Sequence, residues 1–167
     1  MKIKDIANFN PETIGSTIKK INYIDTSSSF DGQINAFEPL SEPFPSRAQR
    51  LIRKNDILIS SVRPNLLHDS FVTEPYDGYV ASTGYIHLRL KNDLEVLPKY
   101  LYYVLTSNPY VEYYCSVAST SQSSYPSINK ELIEELNISF PSLSKQAHIV
   151  DIMYPIYKHN LLPSHII

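Results

Sequence analysis

A short basic stretch carries the side chains best suited to bind a polyanion. Residues 47–64 contain five positive residues and one acid, a local charge of +4, although the whole chain has a formal net charge of −2. The cations are Arg47, Arg50, Arg53, Lys54 and Arg63. Clustered cations raise the local potential even on a chain that is not basic overall, so the pattern predicts a face that binds nucleic acid. The alternative is a solvated basic rim, because charge clusters are common on ordinary protein surfaces.

The patterns that could carry catalysis are weak. Ser-x-x-Lys occurs three times, which shows how easily a serine-rich chain produces it. The four glycines are scattered, so no glycine-rich loop is available to hold a nucleotide or a methyl donor. The five histidines lack the spacing of metal ligands. We therefore predict a binding protein with no catalytic residues, no metal site and no cofactor.

Composition limits the class of protein. A chain of 167 residues with 43% hydrophobic and 19% charged residues fits one globular domain. Cys115 is the single cysteine, so we predict neither an internal disulfide nor a cysteine metal site. The first residues contain no apolar run long enough for a signal peptide, and no stretch approaches the length of a membrane span. These features predict a cytoplasmic protein that does not bind membranes.

Hydrophobic alternation predicts strands in the first half of the chain. Residues 18–34 indicate a strand, a polar loop and a turn at Asp31-Gly32. The basic stretch leads into a strand at residues 57–62, which places Arg63 at a rigid strand end. Residues 85–90 alternate cleanly, which is typical of a half-buried strand.

Proline and polar start signals predict helices in the second half. Pro98 fits the first turn of a helix over residues 98–106, and Asn108 followed by Pro109 predicts a helix through about residue 117. Asn129 is the expected N-cap of a short third helix.

The last part of the chain predicts a strand and an amphipathic helix. Ile138 and Phe140 indicate the strand, and Ser144 is a plausible N-cap for a helix that Pro155 should end early. Strands first and helices later, without regular alternation, favour the α+β class. We predict a mixed or antiparallel curved sheet with packed helices and a short C-terminal helix.

Six segments, taken in order, resemble one known family. They are YIDTSSSFDGQI (23–34), SRAQRLIRKNDILISSVRPN (46–65), VASTGYIHLRL (80–90), LPKYLYYVLTS (97–107), SQSSYPSIN (121–129) and NISFPSLSKQAHIV (137–150). The match extends over nearly the whole chain in the family's order. On these segments the chain is identified as a member of the DNA specificity (S) subunits of type I restriction-modification systems.

The resemblance implies a non-catalytic target recognition domain that reads one half of a bipartite site in double-stranded DNA. It also implies partners, namely the methyltransferase subunit and, indirectly, the restriction subunit. Residues 1–142 would form the recognition domain, residues 143–154 the start of a conserved spacer helix, and residues 155–167 a divergent tail. Family members usually carry two such domains, so a half-subunit would be expected to pair as a homodimer, although a shortened helix weakens that expectation.

Side-chain chemistry supplies the candidate DNA contacts. Arg47, Arg50, Arg53 and Lys130 suit phosphates. For base edges we predict Arg63 at guanine and Asn65 or Gln122 at adenine. The alternative for Arg63 is a surface ion pair with an acid such as Glu74.

A polar loop and a strand entry offer further candidates. Residues 119–126 include Gln122, Ser123 and Tyr125 and suit a loop that enters a groove, with a flexible linker as the alternative. Thr83 and Tyr85 would face the same cleft, and packing of Tyr85 in a sheet is equally open. Nearby Gly84 would permit a close backbone approach.

The family arrangement places Gln146, Ile149, Val150 and Met153 against a partner helix. Core packing within the domain is the alternative for the three apolar residues. Two other readings of the whole chain remain open at this point: a truncated remnant without function, and the recognition domain of a fused restriction-methylation enzyme.

Overall fold

The computed structural model describes residues 1–91, 95–120 and 125–159, with side chains up to residue 156. Ten strands lie within these ranges: β1 (Ala7–Phe9), β2 (Lys20–Ile24), β3 (Ser29–Phe30), β4 (Gln33–Ile34), β5 (Glu38–Ser41), β6 (Ala48–Leu51), β7 (Ile57–Ser60), β8 (Ser70–Phe71), β9 (Val80–Ser82) and β10 (Tyr85–Leu90). The α-helices in the same ranges are α1 (Ile3–Ile6), α2 (Pro98–Leu105), α3 (Asn108–Ser119), α4 (Lys130–Glu134) and α5 (Leu143–His159). Short 3-10 helices span Thr26–Ser28, Pro64–Leu66 and Glu74–Tyr76. Within the described ranges, no helix is both long and apolar enough to cross a membrane.

The strands form two four-stranded sheets and one small hairpin. The first sheet has the order β1-β10-β7-β8 and is antiparallel throughout. The second has the order β5-β2-β9-β6, in which only β2 and β9 run parallel. The hairpin β3-β4 turns at Asp31 and Gly32, as predicted, and both residues have positive φ angles. The predicted α+β class with packed helices and a short C-terminal helix is confirmed, although the strands divide into two sheets.

Strand β10 is buried on both faces, so the prediction of a half-buried strand is wrong. Ile86 and Leu88 belong to the larger hydrophobic core, which the first sheet forms with the helices. Tyr85 faces a second core that lies between the two sheets and includes Ile24 and Leu58. A strand covered on both sides cannot be recognised from alternation alone, because its second face is buried by residues distant in sequence.

Local start signals predicted where the helices lie, but not every N-cap: α5 begins at Leu143, so the prediction of Ser144 as its N-cap is wrong. Helix α2 begins at Pro98, and the Asn129 side chain caps α4 by accepting a hydrogen bond from the Leu132 N–H at 3.1 Å. Helix α3 has Ser107 at the N-cap position instead of Asn108. The strand predicted around Ile138 does not form: in the described structure this segment makes an isolated bridge to the N-terminal residues.

Helix α5 continues through Pro155 to His159, so the prediction that Pro155 ends it is wrong. A proline removes one N–H donor and disfavours the helix, but the cost is local. The turns before it are held by packing of Val150 and Met153 on the larger core.

Candidate nucleic-acid interface

Four of the predicted DNA-contacting residues line one open pocket of about 550 Å³. These residues are Arg47, Arg63, Thr83 and Tyr125, and we call their site the arginine pocket. Sequence reasoning missed several others on its wall, among them the hydroxyl residues Thr26, Ser27 and Ser61 and the imidazole of His68. No motif marks these positions, because they reach the pocket from separate loops.

Arg63 lies in a turn three residues after the end of β7, not at the strand end as predicted, and its backbone is fixed there. Its N–H donates to the Pro126 carbonyl oxygen at 2.8 Å, and its φ of 50° is in the left-handed region. The guanidinium carbon lies 5.2 Å from the centroid of the exposed Tyr125 ring, a cation–π contact. Among the described residues Arg63 forms no ion pair, and Glu74, its expected alternative partner, pairs with Lys54. The Arg63 donors therefore remain available to a ligand.

Arg47 reaches the pocket across Gly84. A Cβ atom at Gly84 would lie 2.8 Å from Arg47 Nη2 and 2.8 Å from Thr26 Cγ2, closer than real contacts allow. The Arg47 side chain therefore occupies the space that a side chain at position 84 would need, and the close approach of a ligand to the Gly84 backbone stays a prediction. Among the described residues Arg47 has one ion pair, to Asp25 Oδ1, and this pair is long at 3.7 Å.

The other three predicted phosphate contacts lie away from the arginine pocket. Arg53 donates to Glu12 from Nε at 3.2 Å and from Nη2 at 2.8 Å. Lys130 donates to Glu134 at 2.6 Å. Arg50 is half-buried, and burial lowers its pKa. Arg53 and Lys130 are thus paired with acids of the same chain, and their contacts to phosphates stay predictions.

Asp56, the one acid of the basic stretch, is the centre of a buried charge network. It accepts hydrogen bonds from His87 Nε2 at 2.6 Å, and from Arg89 Nε and Nη2, each at 2.8 Å. Arg89 Nη1 also donates to Glu12 at 2.9 Å, which joins Arg53 to the same group. We call these five residues the Asp56 network.

In the Asp56 network the two carboxylates pair with cationic side chains, and this pairing lowers the pKa values of both acids. Burial alone would raise the pKa of Asp56, but the hydrogen bonds from Arg89 and His87 hold it below its ordinary value. Hydrogen bonds from Arg53 and Arg89 lower the pKa of Glu12 to about 2. The network therefore pairs Arg53, one of the predicted phosphate contacts, with an acid of the same chain.

Asp69, which lines a different cavity together with Leu67, has no such charged partners in the described part of the chain. The carboxylate is buried and accepts one hydrogen bond, from the Ser60 N–H at 2.6 Å. It has no cationic partner among the described residues, and burial raises its pKa to about 7. Sequence reasoning did not single out Asp69, since its surroundings come from other parts of the chain.

The prediction that Tyr85 faces the cleft is wrong. The side chain is 1% exposed, and its hydroxyl donates to Ser29 Oγ at 2.6 Å. Burial raises its pKa. The residue therefore packs in the sheet, the alternative left open above.

The remaining candidates are less well placed. Asn65 is exposed at the tip of the Pro64–Leu66 turn but does not line the pocket. Gln122 and Ser123 lie outside the described residues. A group of three or more potential metal ligands does not occur within the ranges that the structure describes.

Gln146 is not a partner-facing residue, because it is fully buried. Its Nε2 donates to the carbonyl oxygens of Glu95 and Pro141 at 2.8 Å each, and its Oε1 accepts from the Leu97 N–H at 2.9 Å. The amide thus joins α5 to the start of α2. Val150 and Met153 pack on the larger core, as the alternative for them proposed.

Ile149 remains on the solvent side of α5. It is 36% exposed, and Ile152 and Ile156 follow it with exposures of 51% and 49%. Spacings of three and four residues place all three on one face of the helix. We call this face the isoleucine stripe.

The chain resembles known proteins in sequence and in fold. Residues 1–167 match the family described as "Type I restriction modification DNA specificity domain". The specificity subunit of the type I restriction enzyme HindI of Haemophilus influenzae is 32% identical over 112 residues, 67% of this chain and 24% of that protein.

Two solved structures share the fold. The HsdS subunit from Thermoanaerobacter tengcongensis has a TM-score of 0.80 at 21% identity, covering 95% of this chain and 41% of that one. A chain from work described as "Structural basis underlying complex assembly and conformational transition of the type I R-M system" has a TM-score of 0.70 at 20% identity, covering 92% of this chain and 43% of its own. This chain therefore spans less than half of the length of each relative. The family match over residues 1–167 shows that the chain belongs to the type I restriction-modification DNA specificity domains.

Proposed function

We propose that the chain is a non-catalytic, sequence-specific DNA-recognition domain that reads one half of a bipartite site in double-stranded DNA. The arginine pocket is the observation that carries this proposal. Arg63 and Arg47 meet there with hydroxyl groups and the exposed ring of Tyr125, and neither arginine has a close acid partner among the described residues. A fixed guanidinium suits the guanine edge, which offers two acceptors in the major groove.

The two arginines would contact different parts of the DNA. Arg63 is held by its backbone and by Tyr125, so it is the candidate for a base edge. Arg47 lies on the rim with its side chain 53% exposed and suits a phosphate. Thr83 adds a hydroxyl on the same wall.

We further propose that the domain directs a methyltransferase subunit, and through it a restriction subunit, to the site in the cytoplasm. The isoleucine stripe would face the partner helix, or the same helix of a second copy in a homodimer. Residues 1–142 would form the recognition domain and residues 143–154 the start of the spacer helix, with residues 155–167 as a tail. The remnant alternative relied on a helix broken at Pro155, and α5 continues through that residue.

Selection from a randomised duplex pool tests the proposal. Wild type, Arg63→Ala and Lys54→Ala would each be incubated with the pool at about 50 mM and about 200 mM salt, a range over which phosphate contacts weaken strongly. Lys54→Ala is the matched control, because it removes one charge from the same basic stretch but does not line the pocket.

We expect wild type and Lys54→Ala to enrich the same short motif. Arg63→Ala should lose preference at one guanine position and bind about 5- to 150-fold more weakly to the selected site. Binding that follows salt and enriches no sequence in any variant would contradict the proposal, since it would indicate a charged surface without base readout.

A further inference from the structure

A strained turn at the edge of the arginine pocket presents a leucine to solvent. Residues 63–67 form this turn, with the 3-10 helix Pro64–Leu66 between two residues that have left-handed backbones, Arg63 with φ 50° and Leu67 with φ 53°. This conformation is unfavourable for residues with a side chain, because Cβ crowds the following carbonyl oxygen. Leu66 is nevertheless 41% exposed at the tip and lines the arginine pocket.

The turn is anchored on both sides, so its tip is rigid. Pro64 is buried beneath it, and helix α3 packs against it. Before the turn, Ser60 Oγ donates to the Val62 carbonyl oxygen at 2.9 Å, and the Ser60 N–H donates to Asp69 at 2.6 Å. Strain that the surrounding structure maintains is concentrated at functional sites in proteins.

The geometry of the turn places Leu66 beside Arg63. Leu66 and Arg63 line the same pocket, and the Leu66 N–H donates to the Arg63 carbonyl oxygen at 2.9 Å. Leu67 lines a different cavity, which contains Asp69.

Leucine has no hydrogen-bond donor or acceptor with which to read a polar base edge. The apolar feature of a base edge in the major groove is the C5-methyl group of thymine. Because Leu66 and Arg63 line one pocket, the bases that they contact would lie close together in the duplex. We propose, on the basis of the proposed function, that Leu66 reads a thymine methyl group close to the guanine bound by Arg63.

Parallel selections test this inference. Wild type, Leu66→Ala and Leu67→Ala would be incubated with two randomised duplex pools, one containing thymidine and the other deoxyuridine, which lacks the methyl group. Leu67→Ala is the matched control, because Leu67 is a leucine of the same turn with a similar exposure of 46% but lies on the other side. Both leucines are exposed, so either variant is expected to fold.

The expected result is a motif in which wild type and Leu67→Ala prefer one thymine near the guanine. That preference should disappear with Leu66→Ala and with the deoxyuridine pool, and binding to the selected site should weaken about three- to fivefold, as for one buried methyl group. A motif whose thymine preference survives Leu66→Ala, or a motif without thymine, would overturn the inference and leave the proposed function intact. A wild type that enriches no motif would overturn both.

Discussion

Two regions that lie close together in the sequence differ in whether their charged side chains are paired. In the Asp56 network each described charge has a partner: Asp56 accepts from Arg89 and His87, and Glu12 accepts from Arg53 and Arg89. Around residues 63–69 the charges are left unbalanced. Arg63 has no ion pair among the described residues, and buried Asp69, which lies in a different cavity, accepts its described hydrogen bond from a backbone N–H.

The difference separates structural arginines from candidate binding arginines. A paired arginine satisfies its donors inside the protein and stabilises the fold, whereas a rigid arginine without an acid partner retains its donors for a ligand. Both kinds occur within residues 47–64, so local charge density does not distinguish them. Unpaired charges beside a turn with left-handed residues do not stabilise the fold. Features of this kind are expected at functional sites, where binding and not stability determines the residues.

The largest expected effect comes from breaking the balanced region. Asp56→Asn removes the carboxylate that Arg89 and His87 contact, and leaving buried donors without their counter-charge should lower the free energy of unfolding by about 3–5 kcal/mol at pH 7. Urea denaturation measures this change. The pKa of Asp56 is lowered from its ordinary value of 3.8, so its contribution is present above that pH and is lost as the pH falls further.

Asp77→Asn is the matched control for this change. Asp77 is exposed and accepts one hydrogen bond, from the Lys54 N–H at 2.8 Å. We expect its substitution to change stability by less than about 1 kcal/mol. Equal unfolding curves for the two variants at pH 7 would show that the Asp56 network does not stabilise the fold.

Asp69→Asn should change the free energy of unfolding in the opposite direction and raise it at high pH. Burial raises the pKa of Asp69 from 3.8 to about 7, so folding favours the protonated carboxyl group. The stability that this group contributes is complete below about pH 4 and is lost as the pH rises through about 7. An uncharged asparagine avoids that loss, and the variant should be more stable than wild type above pH 8 by about 4 kcal/mol.

Thermal unfolding from pH 4 to pH 9 measures this difference. We expect nearly equal stability near pH 4 and a gap that grows through pH 7 in favour of Asp69→Asn. A gap that does not depend on pH would mean that the Asp69 carboxyl group does not titrate in this range, and the contrast with Asp56 would then fail.

Sequence signals that act over a few residues predicted the structure well. Pro98 and Asn129 marked two helix starts, and the apolar run 57–60 marked β7, although this strand ends at Ser60 and does not reach Arg63 as predicted. Pro155 was misread, because packing of the preceding turns, and not propensity alone, decides whether a helix continues.

Relations between distant residues could not be predicted. Glu12 binds Arg53, 41 residues away, and Asp56 binds His87, 31 residues away, so the sequence did not show which cations are neutralised. The burial of Tyr85 depends on a second core formed by other strands. The sequence also did not show that Leu66 and Arg63 line the same pocket.

The smallest expected effect tests whether the absence of a side chain at Gly84 allows the Arg47 guanidinium to take its place in the arginine pocket. In Gly84→Ala the new Cβ would lie 2.8 Å from Arg47 Nη2, so the guanidinium must move from its place in the pocket. Affinity for the selected duplex should fall by about 1.5- to 5-fold, the range for one exposed charge contact. Fluorescence anisotropy at fixed salt measures it.

Two comparisons decide how Gly84→Ala acts. Gly15→Ala is the matched control, because a Cβ there meets nothing within 4 Å, and its affinity should equal that of wild type. In a chain that already carries Arg47→Ala, adding Gly84→Ala should cause no further loss, since the displaced side chain is absent. A further loss in that double variant would mean that the new methyl group obstructs the ligand directly or shifts Thr26, and that Gly84 does not act by seating Arg47.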